Sequence, residues 1–367
     1  MQTPILDEQA LLFKQIGQPL IKALAEKVGL GVTFREDNPE RWQNVLNSCA
    51  YVPNVYTRTW LDYQLAYHTG QGVGCKDFSL VLEWDRAPVA VWPFSVSLTN
   101  TTLSLSSQGL QLTPPLIIDS LARNSRKSIA KLCVDYAIQV ARALSLTSFE
   151  SCEIFTNDLG LSDWHLEAMM RGASCRIQHE LFLRTSDSWE AILKGYKKRL
   201  RYLINQAAKL WTSFVLDDTA KEPDAIWRIF KDLHFEASGR KTRSDDSWAC
   251  QLEAIRRGEA FLVYLLNEKS EMIGGGYFTL TRTEALYAVG VYDRTLFDKP
   301  VGHLVQQEAI KEMIRRGIHW YKLGALPVES DVPTPTVKEI SIGAFKRHFC
   351  SHTFPKLILN HTVAQQT

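Results

Sequence analysis

Several things are scarce in this 367-residue sequence, and each absence narrows what it can be. There is no unbroken apolar run of about 18 residues, the length a membrane-spanning helix needs. The opening stretch, MQTPILDEQALLFKQIGQPL, carries acidic residues and no basic segment followed by a long apolar one, which argues against a signal peptide. Neither sign of charge is in excess. Forty-two Lys+Arg against forty Asp+Glu leave +2, so overall charge implies no DNA or RNA partner, and only a local patch can serve one. Seven cysteines are scattered, odd in number and never in CxxC, which excludes a disulfide framework or zinc site and fits reduced thiols in a cytoplasmic protein. GxSxG, HExxH and Walker A motifs are missing, and no spacing joins the histidines into a metal site. Neither a metal nor a tightly bound cofactor is expected.

What is present is an ordinary globular composition, 45% apolar and 22% charged, long enough for two domains or one large one. Residues 7–28 read as one amphipathic helix, with Leu11, Leu12, Ile16, Leu20, Ile21 and Leu24 at helical spacing and Gly29 as its stop. A hairpin follows at 78–97, turning at Asp85-Arg86. A second hairpin, 260–281, corresponds to it. Each half then continues as a further strand, a helix (about 123–144 and 302–316) and a strand (149–155 and 318–323). The pattern predicts an α/β protein with mixed sheets, built as two similar domains, 30–178 and 179–367, after a helical extension over 1–29. A strand at 179–185 and one long helix capped by Ser186 or Asp187 open the second domain.

Five features could carry chemistry. Lys194, Lys197, Lys198, Arg201 and Lys209 share one helix face opposite Leu193, Tyr196, Leu200, Leu203 and Ala207, and no acid occurs over 191–209. That face is either simply solvated or a landing site for phosphates. The segment 238–248, after His234, reads as a basic loop in which Arg240, Lys241 and Arg243 clamp an anion or are neutralised by Asp245 and Asp246. Gly274–Gly276 interrupt a strand, marking a bulge or a close approach of ligand to backbone. Pro300, Val301, Gly302 and His303 begin a helix, whose free N–H groups suit an anion. Finally Lys346, Arg347 and His348 interrupt Phe345, Phe349 and Phe354, either as snorkelling surface cations or as a charge held for a reaction.

The duplicated pattern, the helix YKKRLRYLINQAAK and the tail YKLGAL…IGAFKRHF together resemble the FemABX family, which are double acetyltransferase-like (GNAT-like) proteins. Lys198, Arg201, Ile204, Ala207 or Ala208 and Lys209 fit that family's helix loosely, and Gly324, Phe345, Lys346 and Phe349 match its C-terminal pattern. The likeness spans roughly 30–360, with Tyr56 and Trp60 near its start, and is most specific over 180–350. The coiled-coil arm of some tRNA-using members is absent. The resemblance implies two tandem GNAT-like domains, the second catalytic, that transfer an acyl or aminoacyl group from acyl-CoA or aminoacyl-tRNA to a small-molecule or peptide amine. An acyl-CoA-dependent N-acetyltransferase acting on an amino sugar or amino acid is the close alternative. A non-catalytic binder of RNA or a phosphoglycan is the alternative from another class. The resemblance also implies Lys346 and Phe345 as catalytic residues. Lys197, Lys198, Arg201, Gly302 and His303 would hold the donor. The substrate cleft would lie between the Gly274–Gly276 and Tyr287–Tyr292 strands, with Gly275, Tyr277, Tyr287 and Tyr292 inside and His234 and Arg240 at its rim.

Overall fold

A computed structural model describes residues 4–155 and 160–364. In chain order the first elements are α1 (Pro4–Gln15), α2 (Gln18–Val28), β1 (Gly31–Phe34), α3 (Pro39–Ser48), a single 3-10 turn (Asn54–Tyr56) and α4 (Arg58–Gly70). Next come β2 (Gly74–Asp77), β3 (Leu80–Trp84), β4 (Ala87–Trp92), β5 (Ser95–Thr99), β6 (Thr102–Ser106), β7 (Leu116–Ile117), α5 (Arg123–Ala143), β8 (Ser148–Glu153), α6 (Asp163–Met170) and β9 (Ser174–Arg184). They are followed by α7 (Trp189–Gly195), α8 (Lys198–Leu210), β10 (Thr212–Leu216), α9 (Pro223–Ser238), α10 (Asp245–Arg256), β11 (Ala260–Leu266), β12 (Met272–Leu280) and β13 (Glu284–Tyr292). The last are α11 (Val301–Arg315), β14 (Trp320–Ala325), α12 (Val337–Arg347) and β15 (His352–Thr362).

The chain forms two compact units, one of residues 1–52, 64–177 and 356–367, the other of 53–63 and 178–355. Two segments therefore depart from a simple halving of the sequence. Pro53–Tyr63, with Tyr56 and Trp60, belongs to the second unit, and Lys356–Thr367 belongs to the first.

In the first unit β1-β3-β4-β7 and β2-β5-β6 form separate sheets. The β3–β4 turn has positive φ at both Asp85 and Arg86, the geometry of a tight two-residue hairpin. Trp92, Phe94, Tyr136 and Trp164 pack edge to face in its core. The N-terminal helix is broken in two. Gly17 is extended and caps α2, and Pro19 sits in its first turn, where a missing N–H costs nothing but where α1 cannot continue through it. Gly29, at φ 79°, ends α2 as expected.

In the second unit β10, β11, β12 and β13 pair antiparallel in that order, β13 pairs β14 parallel, and β14 pairs β9 antiparallel. The basic helix is also two helices. Ser188, not Ser186 or Asp187, caps α7, and an extended Tyr196 separates it from α8. Tyr196 is buried and its ring meets Phe349, so packing overrides the local helical pattern at that point. Leu200, Ile204 and Ala207 of α8 face the core. The basic segment after α9 is shorter than its composition suggests, because Ser244 caps α10 and Asp245 and Asp246 lie in its first turn.

Two helical layers cover this sheet. On one face lie α11 and α8, with Phe261, Phe278, Val305 and Ile310 in the core. On the other lie α9 and α10, with Trp227, Phe230, Trp248 and Tyr277. Within the second unit, the Pro53–Tyr63 segment is anchored by Asn54, whose backbone N–H and side-chain amide donate to the buried Glu284 carboxylate at 2.9 and 3.0 Å.

Candidate active site

The strands expected to splay do not. Gly274, Gly275 and Gly276 stand opposite Tyr292, Val291 and Gly290 in a continuous β12–β13 ladder. The glycines make room for neighbouring side chains and backbone. A Cβ on Gly274 would lie 2.8 Å from Tyr292, one on Gly275 2.8 Å from the Val263 carbonyl oxygen, and one on Gly276 2.8 Å from Val305. Valine at Gly275 would therefore disturb the sheet itself.

The opening lies on the other side of β13. Only Glu284–Leu286 pair with Trp320–Lys322. Beyond them β14 shifts register and follows β9 through Gly324 and Ala325, while β13 runs on to Tyr292 with β12. The two parallel strands thus part at their carboxyl ends, and the crossover helix α11 starts there, the usual place for a ligand in such a unit.

One irregularity shapes this opening. Tyr277 stands opposite Val289 and Phe278 opposite Tyr287, so Ala288 is an extra residue in β13. The bulge reverses the faces of the strand. Ala285 and Tyr287 point to the α11 side, whereas Val289 and Val291 point to the α9 side. Tyr292 is thereby returned to the α11 side, where its hydroxyl lies 2.9 Å from that of Tyr287. Gly290 is obligatory here, since a Cβ would fall 1.8 Å from the Tyr287 hydroxyl.

Lys346, in the last turn of α12, reaches this point. Its Nζ lies 5.5 Å from the centre of the Tyr287 ring. Gly324, at φ 104°, passes close beneath it, and a Cβ there would stand 3.1 Å from Nζ. Among the described residues Lys346 makes no ion pair, and desolvation pulls its pKa down to about 8. Phe345 packs against His303 and Phe349.

Gly302 lies in the first turn of α11, with Phe345 and Tyr292 3.1 and 3.3 Å from where its Cβ would be. No side chain caps this helix, and its first turn holds no acid. His303 has a buried Nδ1 with no partner among the described residues, and burial, with His348 nearby, lowers its pKa to about 4, so it is neutral. Lys197 and Lys198 are exposed and Arg201 half-buried at the start of α8, none of them in an ion pair among the described residues. That helix, likewise without a side-chain cap, packs against α11.

The structure thus brings Lys346, Phe345, Gly302, His303, Tyr287 and Tyr292 together. It does not bring Tyr277, Gly275, His234 or Arg240 to the same face. The Tyr277 hydroxyl is buried and donates to the Gln251 carbonyl at 3.2 Å, on the α9–α10 side. His234 meets the Arg243 guanidinium at 2.8 Å and the Trp248 ring, and its pKa falls to about 4 through burial and the Arg243 charge. Arg243 also donates to the Tyr63 hydroxyl at 3.1 Å. Lys241 pairs with Asp245, while Arg240 is exposed.

Sequence reasoning missed Gly290, for which a single glycine inside the strand pattern YAVGVY was the available signal.

A family model described as an acetyltransferase (GNAT) domain matches residues 194–330. Among solved structures, FemX is similar with a TM-score of 0.63 at 12% identity, over 90% of this chain and 97% of that one. L-PGS from Bacillus licheniformis has a TM-score of 0.56 at 12% identity, over 88% and 92%. A tandem GNAT protein from the clavulanic acid biosynthesis pathway has a TM-score of 0.51 at 13% identity, over 92% and 100%. At such identities the likeness is one of fold. No curated protein matches the chain. No helix among the described residues is long and apolar enough to cross a membrane. Residues 194–330 thus match an acetyltransferase (GNAT) domain, and the chain shares its fold with FemX.

Proposed function

We propose that the protein transfers an acyl or aminoacyl group from an activated donor to an amine, and that Lys346 stabilises the charge that develops. The observation that carries this reading is a half-buried ammonium without an ion-pair partner among the described residues, held where β13 and β14 part. A neutral amine attacks the ester or thioester carbonyl, and charge grows on one oxygen. A fixed cation gains more from that oxyanion than from the ground-state carbonyl, so it lowers the barrier. Phe345 and the Tyr287 ring exclude water beside it and strengthen the interaction.

The remaining residues divide by face. The uncapped start of α11, with Gly302 and His303, would receive donor phosphates, helped by Lys197, Lys198 and Arg201. The amine acceptor would approach from the α9–α10 side, past His234 and Arg240. The acetyltransferase family model supports acyl-CoA as donor. The resemblance of the α8 helix and the C-terminal tail to the FemABX pattern keeps aminoacyl-tRNA as the second candidate. Thermal melting with acetyl-CoA, aminoacyl-tRNA and UDP-linked sugars tests the reading, because a ligand bound only by the folded state raises Tm. A shift with acetyl-CoA followed by acetyl transfer to an amine supports it. RNA binding with turnover of no donor would replace it with a binding role.

A further inference from the structure

Helix α6 of the first unit inverts the usual arrangement of a surface helix. Trp164 and Ala168 anchor it in the core, as expected. Its charges, however, are drawn inward and its apolar side chains are left outside. Glu167 accepts from Arg171 Nη1 at 2.7 Å, and Arg171 Nε donates to Asp135 of α5 at 2.7 Å. The exposed residues of α6 are Leu166, Met169 and Met170, at 46, 42 and 70%, and Leu161 just before the helix is 55% exposed. Leu166, Met169 and Met170 follow the i, i+3, i+4 spacing that sets side chains next to one another. Ser162 caps the helix, so Leu161 and Leu166 hold the two positions that commonly meet at a helix start. A surface helix ordinarily turns polar residues to water, and large apolar side chains grouped in this way mark a surface that meets something apolar.

The neighbouring helix tells what that is. Arg123, Lys127 and Lys131 are exposed on α5 at steps of four residues, and none is in an ion pair among the described residues. The next step is Asp135, which holds Arg171 at the end of α6, so the cationic row runs up to the apolar face. No acid balances it. The acids of the two helices are Asp135, Asp163 and Glu167, all half-buried, and Arg171 takes two of them. Grouped apolar side chains beside unpaired cations suit the boundary of an anionic bilayer, where acyl chains receive the first and lipid phosphates the second. A second copy of the chain would bring three more cations and no exposed acid from these helices to answer them. An RNA would satisfy the cations, but leucine and methionine offer its bases no aromatic surface on which to stack. Met169 and Met170 are unbranched and flexible, which suits an irregular, fluid surface.

We propose that the outer face of α6, with Leu161, Leu166, Met169 and Met170, docks the protein on an anionic membrane surface, the Arg123–Lys127–Lys131 row lying against the lipid headgroups. The helix lies in the interface and does not cross the bilayer, for which its eight residues are too few. This docking is independent of the acyl-transfer reading, since no residue of the candidate site takes part in it.

The test is co-sedimentation of the full chain with vesicles of phosphatidylcholine alone and of phosphatidylcholine mixed with phosphatidylglycerol. Wild type should sediment with the mixed vesicles, less with the neutral ones, and progressively less as salt is raised. Leu166→Gln combined with Met170→Gln should weaken partition onto the mixed vesicles by about tenfold or more, the loss expected from two inserted apolar side chains. Lys127→Gln combined with Lys131→Gln should weaken it by about tenfold as well, remove most of the salt dependence, and leave the weaker binding to neutral vesicles unchanged. Phe297→Gln, in the second unit and 70% exposed like Met170, should change nothing. Circular dichroism and melting check that each variant folds, and Met170→Gln alone carries the comparison if the double variant does not. Wild type that ignores the mixed vesicles overturns the inference. Binding that survives the α6 variant, or that falls as far in Phe297→Gln, overturns it too. Self-association in sedimentation velocity that the α6 variant abolishes gives the face to a second copy and overturns the inference. Binding to an RNA duplex in place of vesicles, lost in the lysine variant, overturns it in favour of nucleic acid.

Discussion

The two faces of the β12–β13 ladder differ in how their polar groups are used. On the α9–α10 side, His234 and Arg243 hold each other, Arg243 also holds Tyr63, and Tyr277 donates to a backbone carbonyl. On the α11 side, Lys346 has no ion-pair partner and His303 Nδ1 is unmet, both among the described residues. Leaving buried polar groups unmatched costs stability, and both faces carry some, since Trp227 Nε1 and Gln251 Oε1 on the α9–α10 side are unmet too among the described residues; what sets the α11 side apart is the unpaired ammonium of Lys346. The two sides of the sheet therefore differ in their charged groups: Arg243 is partnered, and Lys346 is without an ion pair among the described residues.

The sharpest way to break this comparison is Lys346→Met. Turnover should fall by about 100–1,000-fold with donor affinity largely kept. Steady-state kinetics within about threefold of wild type would remove Lys346 from the mechanism. Next in size is Gly290→Ala, which forces the Tyr287 hydroxyl from its place and should lower turnover by roughly tenfold, as loss of one positioned hydrogen bond does. The pH profile offers a third measurement. Turnover that depends on the ammonium should decline above about pH 8, approaching tenfold per unit, and Lys346→Met should lack that limb.

Two smaller effects sharpen the contrast. The folded-state pKa of Lys346 lies below its ordinary 10.5, so the unfolded chain binds more protons between about pH 8 and 10.5, and the stability contributed by this group rises across that window. At pH 7, below both values, the whole of that desolvation cost is present. Lys346→Met should then melt at a higher temperature than wild type, with a gain on the order of 1–3 kcal/mol that shrinks toward pH 10.5. His234→Ala should raise the KM of the amine only a few-fold and leave turnover near wild type, read by varying acceptor at saturating donor. A loss as large as that of Lys346→Met would erase the distinction between the faces.

Much of this architecture was legible because local chemistry announces itself. The Asp85-Arg86 turn, the helix stop at Gly29 and the 260–281 hairpin depend on a few adjacent residues. The resemblance of the tail to the FemABX pattern singled out Lys346, which the structure sets over the Tyr287 ring. What stayed hidden depends on partners distant in sequence. Tyr196 looked like part of one long helix, but its burial against Phe349 breaks it. The Gly274–Gly276 run looked like a ligand's path, but its space is filled by Tyr292, Val301, Val305 and Phe230. The extra residue at Ala288 leaves no mark on a strand already rich in small and β-branched residues, yet it decides which tyrosines meet.

The exchange of short segments between the two units bears on how the chain is made. The first unit needs β15, which pairs residue by residue with β8 from Leu357 opposite Glu153 to Thr362 opposite Ser148. The second needs Asn54, without which the Glu284 carboxylate would be buried with neither of the Asn54 N–H donors it now accepts from. A growing polypeptide therefore reaches position 177 with its first unit still short of a strand, and completes that unit only after nearly all of the second has been synthesised. Emergence from the ribosome cannot finish the units one after the other, and cutting the chain at its apparent midpoint deprives each half of a piece that the other carries.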